Sequence, residues 1–234
     1  MLDPSIPPPA RGRTFSARRR VGLADLDPYG RVRLDAIARL LQDVAIDDVQ
    51  ETGWGTPEHL WFVRRIRVEV HTPFLGDREI QLVTWCSGLA AIAAGRRWSV
   101  TGDRGGRAEV DSVWIHLDAQ QRPARIEGFG VYGDATGGRR VSTKLELPDP
   151  APDATARPWP LRASDVDLHG HVNNAVYWQA VEDAFPGLDL PLDAELDFRE
   201  PMDSGDEVEL VTAGELVGLR AAGGFRAVAR VAAR

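Results

Sequence analysis

Residues 25–34, DLDPYGRVRL, and residues 165–174, DVDLHGHVNN, are two versions of one pattern. At an offset of 140, Asp25, Asp27, Gly30 and Val32 coincide with Asp165, Asp167, Gly170 and Val172. An amphipathic helical pattern follows each. Leu34, Ile37, Leu40, Leu41 and Val44 form one stripe; Tyr177, Ala180, Val181, Ala184 and Phe185 form the other, at the spacing of a helix face. Pro186 and Gly187 stop the second helix. Farther on, EIQLVT (79–84) and EVELVT (207–212) match at an offset of 128, as do Pro73 and Pro201. The offsets differ by twelve, so the first copy carries that many additional residues between helix and strand, where QETGWGTPEHLW (50–61) lies.

A repeat of about a hundred residues is a duplicated domain rather than a solenoid. Within each copy strands outnumber helices. RRIRVEV (64–70) alternates, with Ile66, Val68 and Val70 on one face and Arg65, Arg67 and Glu69 on the other. RAEVDSVWIHLD (107–118) and FRAVARVAA (225–233) read as closing strands. Each copy is therefore expected to be an antiparallel sheet wrapped around one long helix, an α+β architecture. The predicted units are 1–125 and 158–234, with a linker over 126–157 that is rich in Pro, Gly and Asp.

With 43% hydrophobic residues the chain can bury a core, and its net charge of −7 argues against a nucleic-acid binder. A lone cysteine, Cys86, excludes an intrachain disulfide and the cysteine-rich zinc patterns. The first residues lack an apolar signal segment, and the longest small-apolar run, GLAAIAAG, is too short to cross a bilayer. These features predict a cytoplasmic protein with no membrane span.

The motif D-x-D-x-x-G-H-V-N-N at a helix start, in a sheet curled round one helix, resembles the hotdog fold of thioesterases. The tandem order, with GTPE (55–58) and SVW (112–114), resembles the acyl-acyl-carrier-protein thioesterases of bacteria and plant plastids. The resemblance runs from about TFSARRRVGL to EPMDSGDEVEL. It implies a tandem hotdog that hydrolyses fatty acyl thioesters, with acyl carrier protein or coenzyme A as the thiol carrier, as a monomer or homodimer, with no cofactor and no metal. Same-fold alternatives are an acyl-coenzyme A thioesterase and, less favoured, a dehydratase. A non-catalytic acyl-carrier or fatty-acid binding protein is the alternative from another class.

Thioester hydrolysis needs an aimed water or nucleophile and stabilisation of the developing oxyanion. A loop carboxylate can supply the first, and backbone N–H groups at a helix start the second. Asp167 is the candidate base or nucleophile; its other reading is a brace for its own turn. His169 stands where the family has a catalytic asparagine. His171 matches the family's histidine and can polarise the carbonyl or orient water, or simply cap the fold. Gly170 and His171 are the expected oxyanion amides. Asn173 and Asn174 read as helix caps. The family's further acidic or cysteine position falls on Pro201 and Met202, which leaves Glu200 as the nearest carboxylate. By alternation Glu200 shares the apolar face of Leu196 and Phe198, its other reading being a strand-end glutamate turned to solvent. Tyr29 and Arg31 replace the histidines in the first copy, so one competent site is expected, with the first copy supplying the acyl tunnel wall. A metal held by His169 and His171 is a weaker reading, since Gly170 between them suggests a turn. Arginine clusters at 17–20, 63–67, 95–98 and 137–140 are candidate contacts for an acidic carrier protein.

Overall fold

The computed structural model of the chain describes residues 8–53, 60–188 and 191–233. Both copies run in the same order. The first has β1 (Thr14–Arg20), a 3-10 turn (Leu23–Asp25), α1 (Leu34–Thr52), β2 (Leu60–Thr72), β3 (Glu79–Leu89), β4 (Ala93–Gly102) and β5 (Arg107–Leu117). After a short helix α2 (Gly130–Gly133), the second has β6 (Thr155–Pro158), a 3-10 turn (Ala163–Asp165), α3 (Asn174–Ala184), β7 (Leu192–Phe198), β8 (Glu209–Ala213), β9 (Leu216–Ala221) and β10 (Gly224–Ala233). The strands form one antiparallel sheet in the order β1-β3-β4-β5-β2-β7-β10-β9-β8-β6. Its halves meet where β2 pairs β7, from Arg65↔Asp197 to Val70↔Leu192. The two long helices pack on each other against the sheet face that carries Ile66, Val68, Val70, Leu196 and Phe198.

The stripes read from the sequence fall on the buried sides of the helices. Ile37, Leu41 and Val44 of α1, and Tyr177, Ala180 and Val181 of α3, are all buried. Helix α1 ends on Gly53, whose φ of 67° is the left-handed geometry that favours glycine. It has 19 residues against the 11 of α3, so eight of the twelve additional residues extend the helix. GTPE lies outside the described residues.

Two expectations change. The edge strand β6 begins at Thr155 and pairs β8, so the second unit starts inside the segment read as linker. The rest of that segment is an ordered strap across the outer face of the sheet. Asp197, fully buried, holds it: Oδ1 accepts from Arg65 Nε at 3.0 Å, and Oδ2 accepts the amides of Glu146 and Leu147 at 2.8 and 2.9 Å. Arg65 also donates to the Lys144 carbonyl, and Arg64 Nε to that of Thr143 at 3.2 Å. A Cβ on Gly95 would come within 2.8 Å of Val141 Cγ1, so glycine there lets the strap lie close. Hence the charged face of RRIRVEV is covered too, with Arg65 and Glu69 both buried. No described helix is long and apolar enough to cross a membrane.

Candidate functional site

In both copies the motif is a tight loop closed by backbone. Asp167 N–H donates to His171 O at 2.9 Å, Gly170 N–H to Asp167 O at 3.0 Å and Asn173 N–H to Asp165 O at 2.8 Å. Asp27, Gly30 and Arg33 repeat these bonds with Arg31, Asp27 and Asp25. Gly170 has φ 83° and Gly30 has φ 79°, which is why both copies keep glycine there. The loop is pinned to the following strand by Val172 N–H to Met202 O at 2.8 Å, matched by Val32 N–H to Phe74 O at 3.0 Å. Asn173 caps α3, its Oδ1 accepting from Ala175 N–H at 2.9 Å.

On this shared frame the side chains diverge. In the first copy Asp27 is fully engaged. Its Oδ1 accepts from the amides of Tyr29 and Arg31, each at 2.9 Å, and its Oδ2 from Arg31 Nε at 2.8 Å. Burial works against its charge, but these bonds from Arg31 and Tyr29 hold its carboxyl below the ordinary value. Arg31 in turn meets Glu182 of α3 at 3.1 Å, and Glu182 Oε1 accepts from the Leu34 amide at 3.2 Å. A polar cleft of about 310 Å³, lined by Arg33, Arg162, Gln179 and Glu182 among others, adjoins this place.

In the second copy Asp167 is half-buried, and Oδ1 accepts only the His169 amide at 2.9 Å. Its Oδ2 has no partner among the described residues. It both braces the turn and keeps one carboxylate oxygen available. His171 turns its Nδ1 to Asp203 Oδ1 at 2.8 Å, across a β-bridge between the two residues. A carboxylate only accepts, so Nδ1 carries the proton and Nε2 is left as the second ring nitrogen. Leu168, 91% exposed, and His169 stand at the loop tip.

Asp203 was not among the residues singled out above. The 128-residue offset carries the signal: it relates Leu75 to Asp203, and Leu75 bridges Arg31 as Asp203 bridges His171.

Two expectations are corrected. Gly170 is not an oxyanion donor, because its amide is bonded to the Asp167 carbonyl. The amides of His171 and Asn174, by contrast, have no partner among the described residues. Glu200 does not lie on the apolar face. β7 ends at Phe198, and the amides of Arg199 and Glu200 both donate to Arg226 O, at 2.9 and 3.2 Å. Two residues thus oppose one, the alternation breaks, and the Glu200 side chain is 66% exposed beside Arg226.

An apolar crevice reaches the first residue of α3. Ala38, Leu41, Gln42, Ile66, Trp98, Val110, Ser112 and Trp114 line it with Asn174, so every wall but one comes from the first copy. Its free volume is about 10 Å³. Among the described residues no group of three His, Cys, Asp or Glu side chains is placed to hold a metal ion.

Two of the four arginine clusters are engaged internally. Arg65 and Arg67 pair with Asp197 and Asp193, Arg96 with Asp48, and Arg97 with Asp111. Arg18, Arg20 and Arg140 are exposed.

Residues 12–128 match the model of the acyl-ACP thioesterase N-terminal domain, and residues 150–226 that of the acyl-ACP thioesterase C-terminal domain. The chain is 29% identical over 208 residues to an uncharacterized protein of Mycobacterium tuberculosis, covering 86% of this chain and 83% of that one. It is 28% identical over 183 residues, 65% of its length, to the chloroplastic oleoyl-acyl carrier protein thioesterase 1 of Arabidopsis thaliana, of which it spans 49%. The solved 12:0-ACP thioesterase from Umbellularia californica superposes with a TM-score of 0.76 at 17% identity, over 93% of this chain and 96% of that one. The fold is a tandem hotdog.

Proposed function

The chain belongs to the acyl-ACP thioesterase family, a family of thioester hydrolases acting on fatty acyl thioesters, and from that premise we propose that it hydrolyses fatty acyl esters of acyl carrier protein at the mouth of α3. Asp167 is the general base. Its open Oδ2 takes a proton from water as the water oxygen attacks the thioester carbonyl. The negative charge that forms on the carbonyl oxygen is held by the unpartnered amides at His171 and Asn174, where the helix dipole also favours it. His171, held through Nδ1 by Asp203, presents its other nitrogen toward the reacting group. When the carbon–sulfur bond breaks, the proton on Asp167 passes to the departing sulfur, giving the free acid and the carrier thiol.

The observation that carries this reading is the contrast between the two carboxylates. Asp27 is closed by three hydrogen bonds, while among the described residues Asp167 keeps one oxygen open in the loop that leads into α3, whose first residue, Asn174, lines an apolar crevice. The exposed position of Glu200 leaves it outside this scheme. Thiol release from acyl-acyl-carrier-protein and from acyl-coenzyme A tests the proposal. Turnover is expected with both, faster with the carrier protein. Saturable binding without turnover would establish the non-catalytic binder instead.

A further inference from the structure

The repeat relates the two helices as well as the two loops. At the offset of 140, Gln42 of α1 corresponds to Glu182 of α3, Ala38 to Trp178, and Leu34 to Asn174. In the first copy the facing helix closes the mouth: Glu182 Oε1 accepts the Leu34 amide at 3.2 Å and meets Arg31. Burial raises the Glu182 carboxyl above its ordinary value, against the pull of those partners. In the second copy the facing helix offers Gln42. Together with Asn174 it lines the apolar crevice, and neither the Gln42 carboxamide nor the Asn174 amide has a partner among the described residues. The neighbour Ala38 also lines that crevice, whereas its counterpart Trp178 is fully buried bulk.

Resting on the thioesterase reading, we propose that Gln42 is a catalytic residue lent by the N-terminal unit. Its Nε2–H and the Asn174 N–H together hold the thioester carbonyl oxygen and the charge that develops on it. The matched contact in the first copy gives the reach, since a side chain of the same length already touches the first amide of the opposite helix. The difference between the copies is chemical. A carboxylate accepts that amide and fills the mouth; a carboxamide brings a donor and no charge, and leaves the amide for substrate. No proton passes through Gln42, so it alters the stability of the tetrahedral intermediate and not the protonation of Asp167.

The test uses the full chain with an acyl-acyl-carrier-protein substrate. Gln42→Met keeps length and packing but removes the donor. It is expected to lower kcat by about 100-fold, the order of one lost oxyanion donor, with KM within about threefold. Gln42→Glu recreates the arrangement of the first copy and is expected to lower kcat at least as far. Glu182→Gln, in the mouth that does not react, is expected to retain wild-type kcat. A Gln42→Met enzyme within about threefold of wild type in kcat overturns the proposal, as does a Gln42→Glu enzyme that turns over normally. Should Gln42→Met not fold, Gln42→Glu decides alone, because the fold already carries glutamate at the matched position. If the wild-type chain itself releases no thiol, the failure belongs to the thioesterase reading and not to Gln42.

Discussion

The two matched aspartates allow a crossed experiment. Asp27→Ala removes three hydrogen bonds to a carboxylate that is only 11% exposed. Bonds to charged groups are worth roughly 1.5–3 kcal/mol each when taken singly. They share one loop and are not additive, so the expected loss is about 2–4 kcal/mol. In a chain of this size each kcal/mol moves the thermal midpoint by about 2–4 °C, which puts Asp27→Ala about 4–16 °C below wild type. Asp167→Ala removes a single bond from a half-buried group and is expected to cost about 1 kcal/mol. The kinetic effects run the other way. Asp167→Ala is expected to lose roughly 10²–10⁴-fold in kcat, whereas Asp27→Ala keeps its rate below its own melting range. The pH dependence adds a sign. Because the fold lowers the Asp27 carboxyl from 3.8, its contribution is complete above that value and is lost as pH falls through the lowered one. The stability gap between wild type and Asp27→Ala therefore narrows in acid. Calorimetry with thiol-release kinetics checks all three points. An Asp27→Ala protein that melts normally but is inactive would refute the reasoning, as would an Asp167→Ala protein that melts as low as Asp27→Ala at full rate.

Asp203→Ala removes the acceptor that orients His171 and is expected to lower kcat, by less than the roughly 10²–10⁴-fold of a direct proton-transfer group, with KM little changed; an unchanged kcat would remove Asp203 from the scheme. Asp197→Ala leaves Arg65 and two strap amides without their buried acceptor and is expected to destabilise by about 3–5 kcal/mol in urea unfolding. Lys144, in the strap, is the only lysine of the chain, so a lysine-specific protease reports strap release directly. Native wild type is expected to resist cleavage there, and Asp197→Ala to be cut; equal cleavage of the two would show that Asp197 does not hold the strap.

What could be read from the sequence was local or repeated. The loop shape depends on a glycine that accepts positive φ and an aspartate that bonds its own backbone two residues on, and both are written within ten residues. The buried helix stripes and the Asn173 cap are equally local. Alternation failed at Glu200 because a carbonyl of β10, 26 residues away, takes two successive amides of the other strand. The partner of His171 lies 32 residues downstream, visible only by carrying the second offset through to the bridge. The cover over the charged face of β2 was not legible, since nothing in a Pro-rich segment announces that its amides bond a buried aspartate.

The divergence of the copies follows from how the sheet is joined. Pairing of β2 with β7 brings α1 and α3 together, so each mouth is built from one unit's loop and the other unit's helix. On the proposed scheme neither unit alone holds a complete site. In the first copy three groups close the mouth. Arg31 neutralises the loop carboxylate, Glu182 occupies the helix amide, and Trp178 stands where the other helix has Ala38. Each contributes to packing or ion pairing what the second copy keeps open as an unpartnered oxygen, an unpartnered amide and a crevice. On the proposed scheme the first copy is the wall and brace of the site in the second.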